Sequence, residues 1–223
     1  MNCDFLEKIE GFARELETIG RDENAAPPPA PRWNQDWFPR LDAAAAYTMV
    51  RTCRPRRIVE VGSGHSTRFL ARAVADGGLD TRITCIDPMP RAKIDGLRLE
   101  YLAIPVQRSE QRIFLELQAD DVLFIDSSHQ SKPGSDLEFL FEKVIPVLAP
   151  GVRVHFHDIF LPDDYPAHWA WRRYNEQDYL KKILHQFSVA FSSHQAAKNL
   201  SGVLARLPLL PGALESSLWL TRN

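Results

Sequence analysis

Short runs of apolar, often β-branched residues alternate with helical stretches from Arg57 onward, and this alternation limits the fold more than any other feature. Such alternation is typical of βαβ units, in which helices join parallel strands. The predicted strands are 57–61, 82–86, 99–104, 122–125, 152–156, 187–192 and 217–220, and the predicted helices between them are 66–75, 110–117, 134–148 and 177–185. The first, second, fourth and fifth strands are almost continuously apolar, as expected of strands buried on both faces.

The connection between the last two predicted strands differs from the others. Residues 199–212 are rich in Leu, Pro and Gly and contain no recognisable helix. A long loop leading into an antiparallel pair therefore fits better than another βαβ unit. The sequence predicts an α/β fold: a Rossmann-like three-layer sandwich around a mostly parallel seven-stranded sheet, with the last strand pair antiparallel.

The composition excludes several classes of protein. The 223 residues include 27 Lys and Arg against 29 Asp and Glu, a formal charge of −2, so no nucleic-acid partner is expected. No run reaches the roughly 18 apolar residues of a transmembrane helix, and the first residues lack the apolar stretch of a secretion signal. We therefore expect a cytoplasmic protein with no membrane partner. Cys3, Cys53 and Cys85 are widely spaced without a CxxC pair, which disfavours a disulfide framework or a cysteine zinc site.

The first 31 residues form a separate predicted unit. Six apolar residues recur at three- and four-residue spacing and predict one amphipathic helix ending near Gly20: Phe5, Leu6, Ile9, Phe12, Leu16 and Ile19. The proline-rich stretch 24–31 is predicted to be an extended linker, because prolines lack amide donors. We therefore divide the chain into 1–31 and a domain of 32–223, in which Asp42 is expected to cap a helix over 42–53. Either the domain or a second subunit must cover the apolar face, and the second case would be a homodimer through this arm.

A glycine loop connects the first predicted strand of the domain to the helix that follows it, and it reads Glu60-Val61-Gly62-Ser63-Gly64-His65-Ser66-Thr67. Gly62 permits a tight turn, Gly64 allows a ligand to approach the backbone, and the amides at the helix start favour a negative group. A GxG pair also occurs in ordinary strand-to-helix turns. Thr67 stands where the dinucleotide fingerprint has its third glycine, which weakens a nicotinamide or flavin interpretation.

Asp87 ends the second predicted strand and is followed by Pro88. A carboxylate at this edge of the sheet, beside the glycine loop, can accept hydrogen bonds from both hydroxyls of a ribose. The alternative is an ordinary strand-end aspartate that starts a turn with the proline.

These features resemble class I S-adenosylmethionine-dependent methyltransferases, whose first motif is an acid followed by GxG and a small residue. The resemblance covers about residues 40–223. It implies S-adenosylmethionine as cofactor, with Glu60, Gly62 and Gly64 at its methionine end, Asp87 on its ribose, and Pro88 or Met89 against its adenine. Ser63 and Asp126 are further residues that this resemblance places at the cofactor.

Two polar motifs follow the fourth and fifth predicted strands: Ile125-Asp126-Ser127-Ser128-His129 and His155-Phe156-His157-Asp158. Neighbouring parallel strands bring their carboxyl ends to one crevice, so Asp126, His129, His157 and Asp158 are expected to converge near the glycine loop. Two carboxylates and an imidazole can hold a divalent ion, or they can take a proton from a substrate hydroxyl. The residues alone leave both alternatives open.

The spacing Asp126-x-x-His129, together with Asp158, resembles metal-dependent O-methyltransferases of the catechol and macrolide-sugar types. That resemblance implies that Asp126 and Asp158 bind magnesium and that His129 acts as the catalytic base. Ile159 departs from the pattern, because the catechol type carries Asn or Asp directly after the fifth-strand acid. His157 could replace the missing ligand, although histidine suits zinc, iron or manganese better than magnesium.

The expected activity is methyl transfer to a small-molecule acceptor, with oxygen as the favoured acceptor atom. The aromatic and charged loop 160–173 is expected to close over the site. Two alternatives remain. One is a nicotinamide- or metal-dependent enzyme on the same scaffold, resembling the cephalosporin-hydroxylase-like proteins, and the other is a noncatalytic protein that binds a partner through the arm.

Overall fold

The computed structural model describes residues 2–223, and these residues form a seven-stranded sheet with a hydrophobic core on each face. The strands are β1 (Arg57–Val61), β2 (Arg82–Ile86), β3 (Glu100–Leu102), β4 (Val122–Ile125), β5 (Arg153–Phe156), β6 (Phe187–Ser192) and β7 (Leu218–Arg222). Their order is β3-β2-β1-β4-β5-β7-β6; β7 runs opposite to the other six strands and is antiparallel to both β5 and β6. The predicted α/β fold, mostly parallel with an antiparallel last pair, is confirmed.

The register of the central strands aligns their carboxyl ends. Val61 of β1 pairs with Ile86 of β2 and with Ile125 of β4, and Ile125 pairs in turn with Phe156 of β5. The residue that follows each strand therefore lies on the same edge of the sheet. Strand order also reverses at β1, and such a reversal is where open α/β sheets bind ligands.

Nine α-helices occur in residues 2–223: α1 (Asn2–Glu10), α2 (Ala13–Glu17), α3 (Arg40–Cys53), α4 (His65–Asp76), α5 (Arg112–Leu115), α6 (Asp136–Phe139), α7 (Glu176–Ile183), α8 (Ser193–Ala196) and α9 (Gly202–Arg206). Helices α1 to α4, α8 and α9 contribute to the core on one face of the sheet. Helices α5 to α7 contribute to the core on the other face. The helices and the sheet thus form the three layers that the sequence predicts. No helix among the described residues combines the length and apolarity needed to cross a membrane.

Several element boundaries differ from the predictions. The helix predicted over 134–148 is divided into α6, a π-helical turn (Leu140–Val144) and a 3-10 turn (Ile145–Val147), because Pro146 cannot donate the hydrogen bond that would continue an α-helix. The strand predicted over 99–104 keeps only three residues, since it pairs with β2 alone at the edge of the sheet. The stretch 199–212, predicted to lack a helix, contains α9.

The arm is two helices and not the single predicted helix, because the chain turns between Glu10 and Ala13. Four of its apolar side chains are buried in the same core as α3 and α4: Phe5, Ile9, Leu16 and Ile19. Glu10 accepts hydrogen bonds from the backbone N–H of Val203, at 2.8 and 3.0 Å, and so holds the start of α9. The chain's own domain therefore covers the apolar face of the arm.

Asp42 does not cap α3, which begins two residues earlier, after Pro39. The Asp42 side chain is instead fully buried and accepts backbone N–H groups from Ser216 and Ser217, at 2.9 to 3.1 Å. These bonds attach the first turn of α3 to the segment that leads into β7. The Asp42 carboxylate thereby reaches the carboxyl end of β5, where it meets His157.

Candidate active site

A cavity of about 360 Å³ opens at the carboxyl ends of β1, β2, β4 and β5. Its walls combine the glycine loop, the end of β2 and the two polar motifs that the sequence analysis singled out. The lining residues among the predicted site positions are Gly62, Ser63, Gly64, Asp87, Pro88, Met89, Asp126, His129, His157 and Asp158. The structure thus brings every predicted site residue to one cavity except Glu60.

The glycine loop needs its first glycine for steric reasons. Gly62 has a φ of +83°, and a Cβ atom placed there would lie 1.8 Å from the backbone oxygen of Asp126. Only glycine lets the end of β1 approach the end of β4 this closely. The loop consequently presents its backbone to the cavity, and the buried hydroxyl of Ser63, which also lines it, has no hydrogen-bond partner among the described residues.

Glu60 faces away from the cavity and is fully buried. Its two carboxylate oxygens accept hydrogen bonds from the hydroxyls of Ser66 (2.7 Å) and Thr67 (2.6 Å), and Thr67 accepts one from the N–H of Gly64 (2.9 Å). Burial raises the pKa of Glu60 to about 7, although both hydroxyl bonds oppose the shift. The prediction that Glu60 contacts a cofactor directly therefore has no structural support, and its visible role is to brace the loop.

Asp87 connects the end of β2 to the glycine loop. One carboxylate oxygen accepts the backbone N–H of Ser63 (2.6 Å) and the other accepts that of Met89 (2.8 Å). Each oxygen can accept a further bond, so the carboxylate can still receive two hydroxyl groups from the cavity. Met89 is 82% exposed at the rim, where it could cover a flat ring lying beside Pro88.

His129 lies between three carboxylates. Its Nδ1 atom is 2.8 Å from Glu176 at the start of α7, and its Nε2 atom is 3.4 Å from Asp126 and 3.5 Å from Asp158. Burial by itself would lower the pKa of His129, but hydrogen bonds to Asp126 and Glu176 and the charge of Asp158 raise it well above its ordinary value. The imidazole therefore holds a proton strongly at the wall of the cavity.

His157 repeats this arrangement on the neighbouring strand. Its Nε2 atom is 3.2 Å from Asp42, and its Nδ1 atom is 3.4 Å from Asp126 and 3.6 Å from Asp158. Burial would again lower the pKa of His157, but the charges of Asp126 and Asp158 raise it well above its ordinary value. Burial would raise the pKa of Asp126, yet the two imidazoles, His157 foremost, hold it well below its usual range.

This cluster does not fit a metal ion. Among the residues that the structure describes, no group of three or more His, Cys, Asp or Glu side chains is arranged to hold one. The Nε2 atom of His129 and the Nδ1 atom of His157 lie 3.4 to 3.6 Å from the carboxylates of Asp126 and Asp158, so both carboxylates face imidazoles. Magnesium binding by Asp126 and Asp158, with His157 as a further ligand, remains a prediction that the geometry does not support.

The backbone at this cluster is strained. His129 and Asp158 both have a φ of +56°, in the left-handed region that side chains rarely adopt. Each stands just past the end of a strand and turns its side chain toward the other. Strain of this kind is characteristic of functional sites, where the surrounding structure imposes the conformation.

The loop 160–173, predicted to close over the site, reaches the cavity through one of its described residues, Arg172. Arg172 and Tyr174 line the cavity, and the Tyr174 ring lies 4.6 Å from the His129 ring. Gln130 donates a hydrogen bond to the backbone oxygen of Arg172 at 2.8 Å, which ties this loop to the segment after β4. Tyr174, the residue directly after this loop, thus contacts the predicted catalytic histidine.

Two buried carboxylates of the cluster escaped the sequence analysis. Asp42 stood in the sequence as an apparent helix cap, and Glu176 stood at the start of a predicted helix, where acids are common. Their distances along the chain from the two polar motifs give no signal of contact. Only the three-dimensional arrangement pairs Asp42 with His157 and Glu176 with His129.

Comparisons with known proteins agree with this geometry. Residues 59–159 match the family model of a methyltransferase domain. A methyltransferase from Podospora anserina, PaMTH1, solved with bound S-adenosylhomocysteine, superposes with a TM-score of 0.52 at 16% identity over 99% of this chain and 88% of its own. An O-methyltransferase from Bacillus cereus, also solved with S-adenosylhomocysteine, has the same TM-score and identity, over 99% and 91% of the two chains. No curated protein sequence matches the chain.

At these identities the two solved structures establish the fold, and the family model adds the methyltransferase domain. The match covers the end of β1, the glycine loop, Asp87 and both polar motifs, which build the cavity. Neither the nicotinamide-dependent nor the noncatalytic alternative is favoured. The family match, the strand order and the cavity agree with one another: the chain carries a methyltransferase domain over residues 59–159 on a Rossmann-like α/β fold.

Proposed function

We propose that this methyltransferase transfers a methyl group to an oxygen atom of a small molecule, and that His129 removes the proton of the acceptor hydroxyl. The observation that carries the proposal is the orientation of His129. Its Nδ1 atom is bound to Glu176 behind it, while Nε2 faces the carboxylates at the cavity. A basic nitrogen held in one orientation at the cavity wall is suited to general base catalysis.

The glycine loop and Asp87 are the residues that we expect to hold S-adenosylmethionine. When bound, this donor supplies an electrophilic methyl group on a sulfonium. The residues fit it in two respects: the loop brings backbone to the cavity, and the unpartnered hydroxyl of Ser63 leaves a buried polar atom for a ligand to satisfy. The carboxylate of Asp87 can accept the ribose hydroxyls, and Pro88 with Met89 can cover the adenine.

The acceptor would lie between the glycine loop and His129. Asp126 and Asp158 strengthen the basicity of His129, and Glu176 keeps its ring from rotating. Tyr174 lies against the imidazole and can limit the access of water. In-line approach of the acceptor oxygen then depends on orientation by the cavity walls, which accounts for much of the rate in a displacement reaction.

The same cluster makes metal-assisted deprotonation the weaker alternative. The Nδ1 atom of His157 already faces both carboxylates, 3.4 Å from Asp126 and 3.6 Å from Asp158. We therefore assign Asp126 and Asp158 to electrostatic support of the two histidines. Addition of EDTA should leave methyl transfer unchanged, whereas loss of activity restored by a divalent cation would establish the magnesium alternative.

Cofactor binding is the first experimental test. Titration calorimetry should give micromolar or tighter affinity for S-adenosylhomocysteine and no heat with NAD. Tight NAD binding, or no heat with S-adenosylhomocysteine, would contradict the proposal.

The role of His129 is tested by transfer of labelled methyl from S-adenosylmethionine to a set of hydroxylated small molecules. His129→Asn should lower turnover at least tenfold, within the range of roughly 100- to 10,000-fold that general bases contribute. His168→Asn is the matched control, because His168 is an exposed histidine on the covering loop. Equal turnover of the two variants would remove His129 from the reaction.

Three further assignments belong to this proposal. We propose that 32–223 is the catalytic domain, that 1–31 is an arm attached to it, and that a homodimer through the arm is not needed to bury the arm's apolar face. Cytoplasmic location and the absence of a nucleic-acid partner stay predictions from the composition.

A further inference from the structure

Arg172 is a cation fixed at the edge of the cavity. Its NH1 atom donates a hydrogen bond to the hydroxyl of Tyr174 at 2.9 Å, and its backbone oxygen accepts one from Gln130 at 2.8 Å. Its guanidinium also lies 4.4 Å from the ring centre of Trp169, 5.1 Å from that of Trp171 and 5.5 Å from that of Tyr174. Three aromatic faces thus hold the charge in place before any ligand arrives.

One edge of this guanidinium is unused. The Nε atom of Arg172 is buried and has no hydrogen-bond partner among the described residues. No carboxylate of residues 2–223 forms an ion pair with Arg172. A buried N–H donor without an acceptor is costly, and one beside a ligand cavity indicates that the ligand supplies the acceptor.

Another arginine of this chain shows which group such an edge can bind. Arg40 uses its Nε and NH2 atoms to hold both oxygens of Glu215, at 2.8 and 3.1 Å. In Arg172 the NH1 atom is occupied by Tyr174, which leaves the corresponding Nε and NH2 edge available. That planar pair of donors matches the two oxygens of a carboxylate.

We propose that Arg172 binds a carboxylate of the methyl acceptor, so that the acceptor is a compact hydroxy acid. This inference rests on the proposed function, because it names the substrate class of that same site. Arg172 contacts Tyr174, and Tyr174 contacts His129. The carboxylate and the reacting hydroxyl would therefore be separated by about the width of one aromatic ring, with the hydroxyl at His129.

The charge of the cavity supports this assignment. Asp126 and Asp158 repel an acceptor carboxylate, and His129 and His157 offset them, so an anion needs a further cation at the far side of the site. Two arginines line the cavity, Arg91 and Arg172, and Arg172 is the one bound to Tyr174, whose ring lies against His129. The position of Arg172 decides the orientation of the acceptor, because only one end of a hydroxy acid pairs with a guanidinium.

Benzoate is a suitable probe, with benzyl alcohol as its uncharged counterpart of similar size. We would measure binding of each by ligand-observed NMR and calorimetry, with the protein saturated with S-adenosylhomocysteine and again without it. Benzoate should bind at least tenfold more tightly than benzyl alcohol. Arg172→Gln should remove at least tenfold of the benzoate affinity, and Arg172→Lys should lose a smaller part, because lysine keeps the charge without the paired donors.

Arg173→Gln is the matched control, since this neighbouring arginine is exposed and does not line the cavity. It should leave benzoate affinity unchanged, and thermal melting should show that all variants fold. Equal affinity for benzoate and benzyl alcohol, no benzoate binding, or an equal loss in Arg173→Gln would overturn the inference. A loss of S-adenosylhomocysteine affinity in Arg172→Gln in place of benzoate affinity would also overturn it, because Arg172 would then serve the cofactor.

The cofactor assignment and the role given to Arg172 can be refuted independently. Failure of S-adenosylhomocysteine to bind would contradict the cofactor assignment while the benzoate preference could still be measured on the free protein. Conversely, normal cofactor binding and turnover without any preference for a carboxylate would remove only the role given to Arg172.

Discussion

Glu176→Gln is the substitution that most directly tests how the cluster sets the chemistry of His129. Glutamine keeps a carbonyl oxygen at the position that accepts from Nδ1, so the ring should stay oriented, while one negative charge disappears 2.8 Å from the imidazole. Because Glu176 is fully buried, solvent does little to screen that charge. The substitution should therefore lower the pKa of His129.

The size of this change follows from the distance. Two unit charges about 4 Å apart at an effective dielectric of about 20 interact by about 4 kcal/mol, which sets the scale for this pair. Two effects reduce it: the glutamine carbonyl still accepts the Nδ1 proton, and Asp126 and Asp158 still face Nε2. We expect the pKa to fall by about 1 to 2 units, or about 1.4 to 2.7 kcal/mol of stabilisation of the charged ring.

The direct measurement is an NMR titration of the His129 ring in wild type and variant, both saturated with S-adenosylhomocysteine. In the proposed mechanism the base form of His129 is the active one, so turnover should rise with pH through the raised pKa in the wild type. In Glu176→Gln this rise should move to lower pH by the same 1 to 2 units, which are about 1.4 kcal/mol each. Asp178→Asn, an exposed acid on the same helix, is the control and should leave both curves unchanged.

Stability gives an independent check with a defined sign. A histidine whose pKa is raised by folding stabilises the native state below its unfolded pKa, about 6.5, and this contribution is lost as pH rises through the raised value. The deficit of Glu176→Gln in unfolding free energy should therefore be larger at pH 6 than at pH 9. A folded variant in which the His129 pKa is unchanged or higher, or whose deficit grows with pH, would refute the reasoning.

Three further predictions concern the loop, the cofactor and the arm. Gly62→Ala should lower the unfolding free energy in urea by about 3 kcal/mol or more, since its Cβ would meet the Asp126 oxygen. Gly134→Ala is the control: Gly134 has a φ of +76° and open space around it, so this change should cost only the conformational penalty of about 1 to 2 kcal/mol. Asp87→Ala should weaken S-adenosylhomocysteine binding in calorimetry by about 2 to 4 kcal/mol, and exposed Asp95→Ala should not; equal affinities would remove Asp87 from the site. Deletion of residues 1–31 should lower the melting temperature or promote association, because it uncovers part of the core; unchanged melting and sedimentation would show that the arm is dispensable.

The central part of the fold could be predicted from the sequence because its signals are local. The strands that form β1, β2 and β4 are short apolar runs bounded by turn residues, and their predicted limits agree with the structure. Predictions failed where tertiary contacts decide the ends of an element. The arm breaks into two helices so that its apolar side chains and Glu10 reach different parts of the domain, and periodicity alone does not contain that requirement.

The candidate site likewise contains residues whose position the sequence predicts and residues whose orientation it does not predict. Gly62, Asp87, Asp126 and His157 each follow a strand directly, so parallel pairing was enough to predict that they meet. Glu60 stands where the resemblance places the motif acid, but it does not line the cavity, and Ser66 and Thr67 use both of its oxygens. The orientation of a side chain relative to the sheet edge depends on such bonds, which spacing does not predict.

The buried charges explain why each polar motif combines an aspartate with a histidine. The carboxylates of Asp126 and Asp158 beside a cavity would be expensive without compensation, and no lysine or arginine among the described residues pairs with either. Two imidazoles supply the compensation, because the carboxylates around them raise the pKa of His129 and of His157 well above the ordinary value, and Glu176 and Asp42 bind the far side of each ring. The proton affinity that balances the cluster also makes His129 a strong base that is mostly occupied near neutral pH. Turnover should therefore depend on the small deprotonated fraction, which favours acceptors whose hydroxyl is itself acidic.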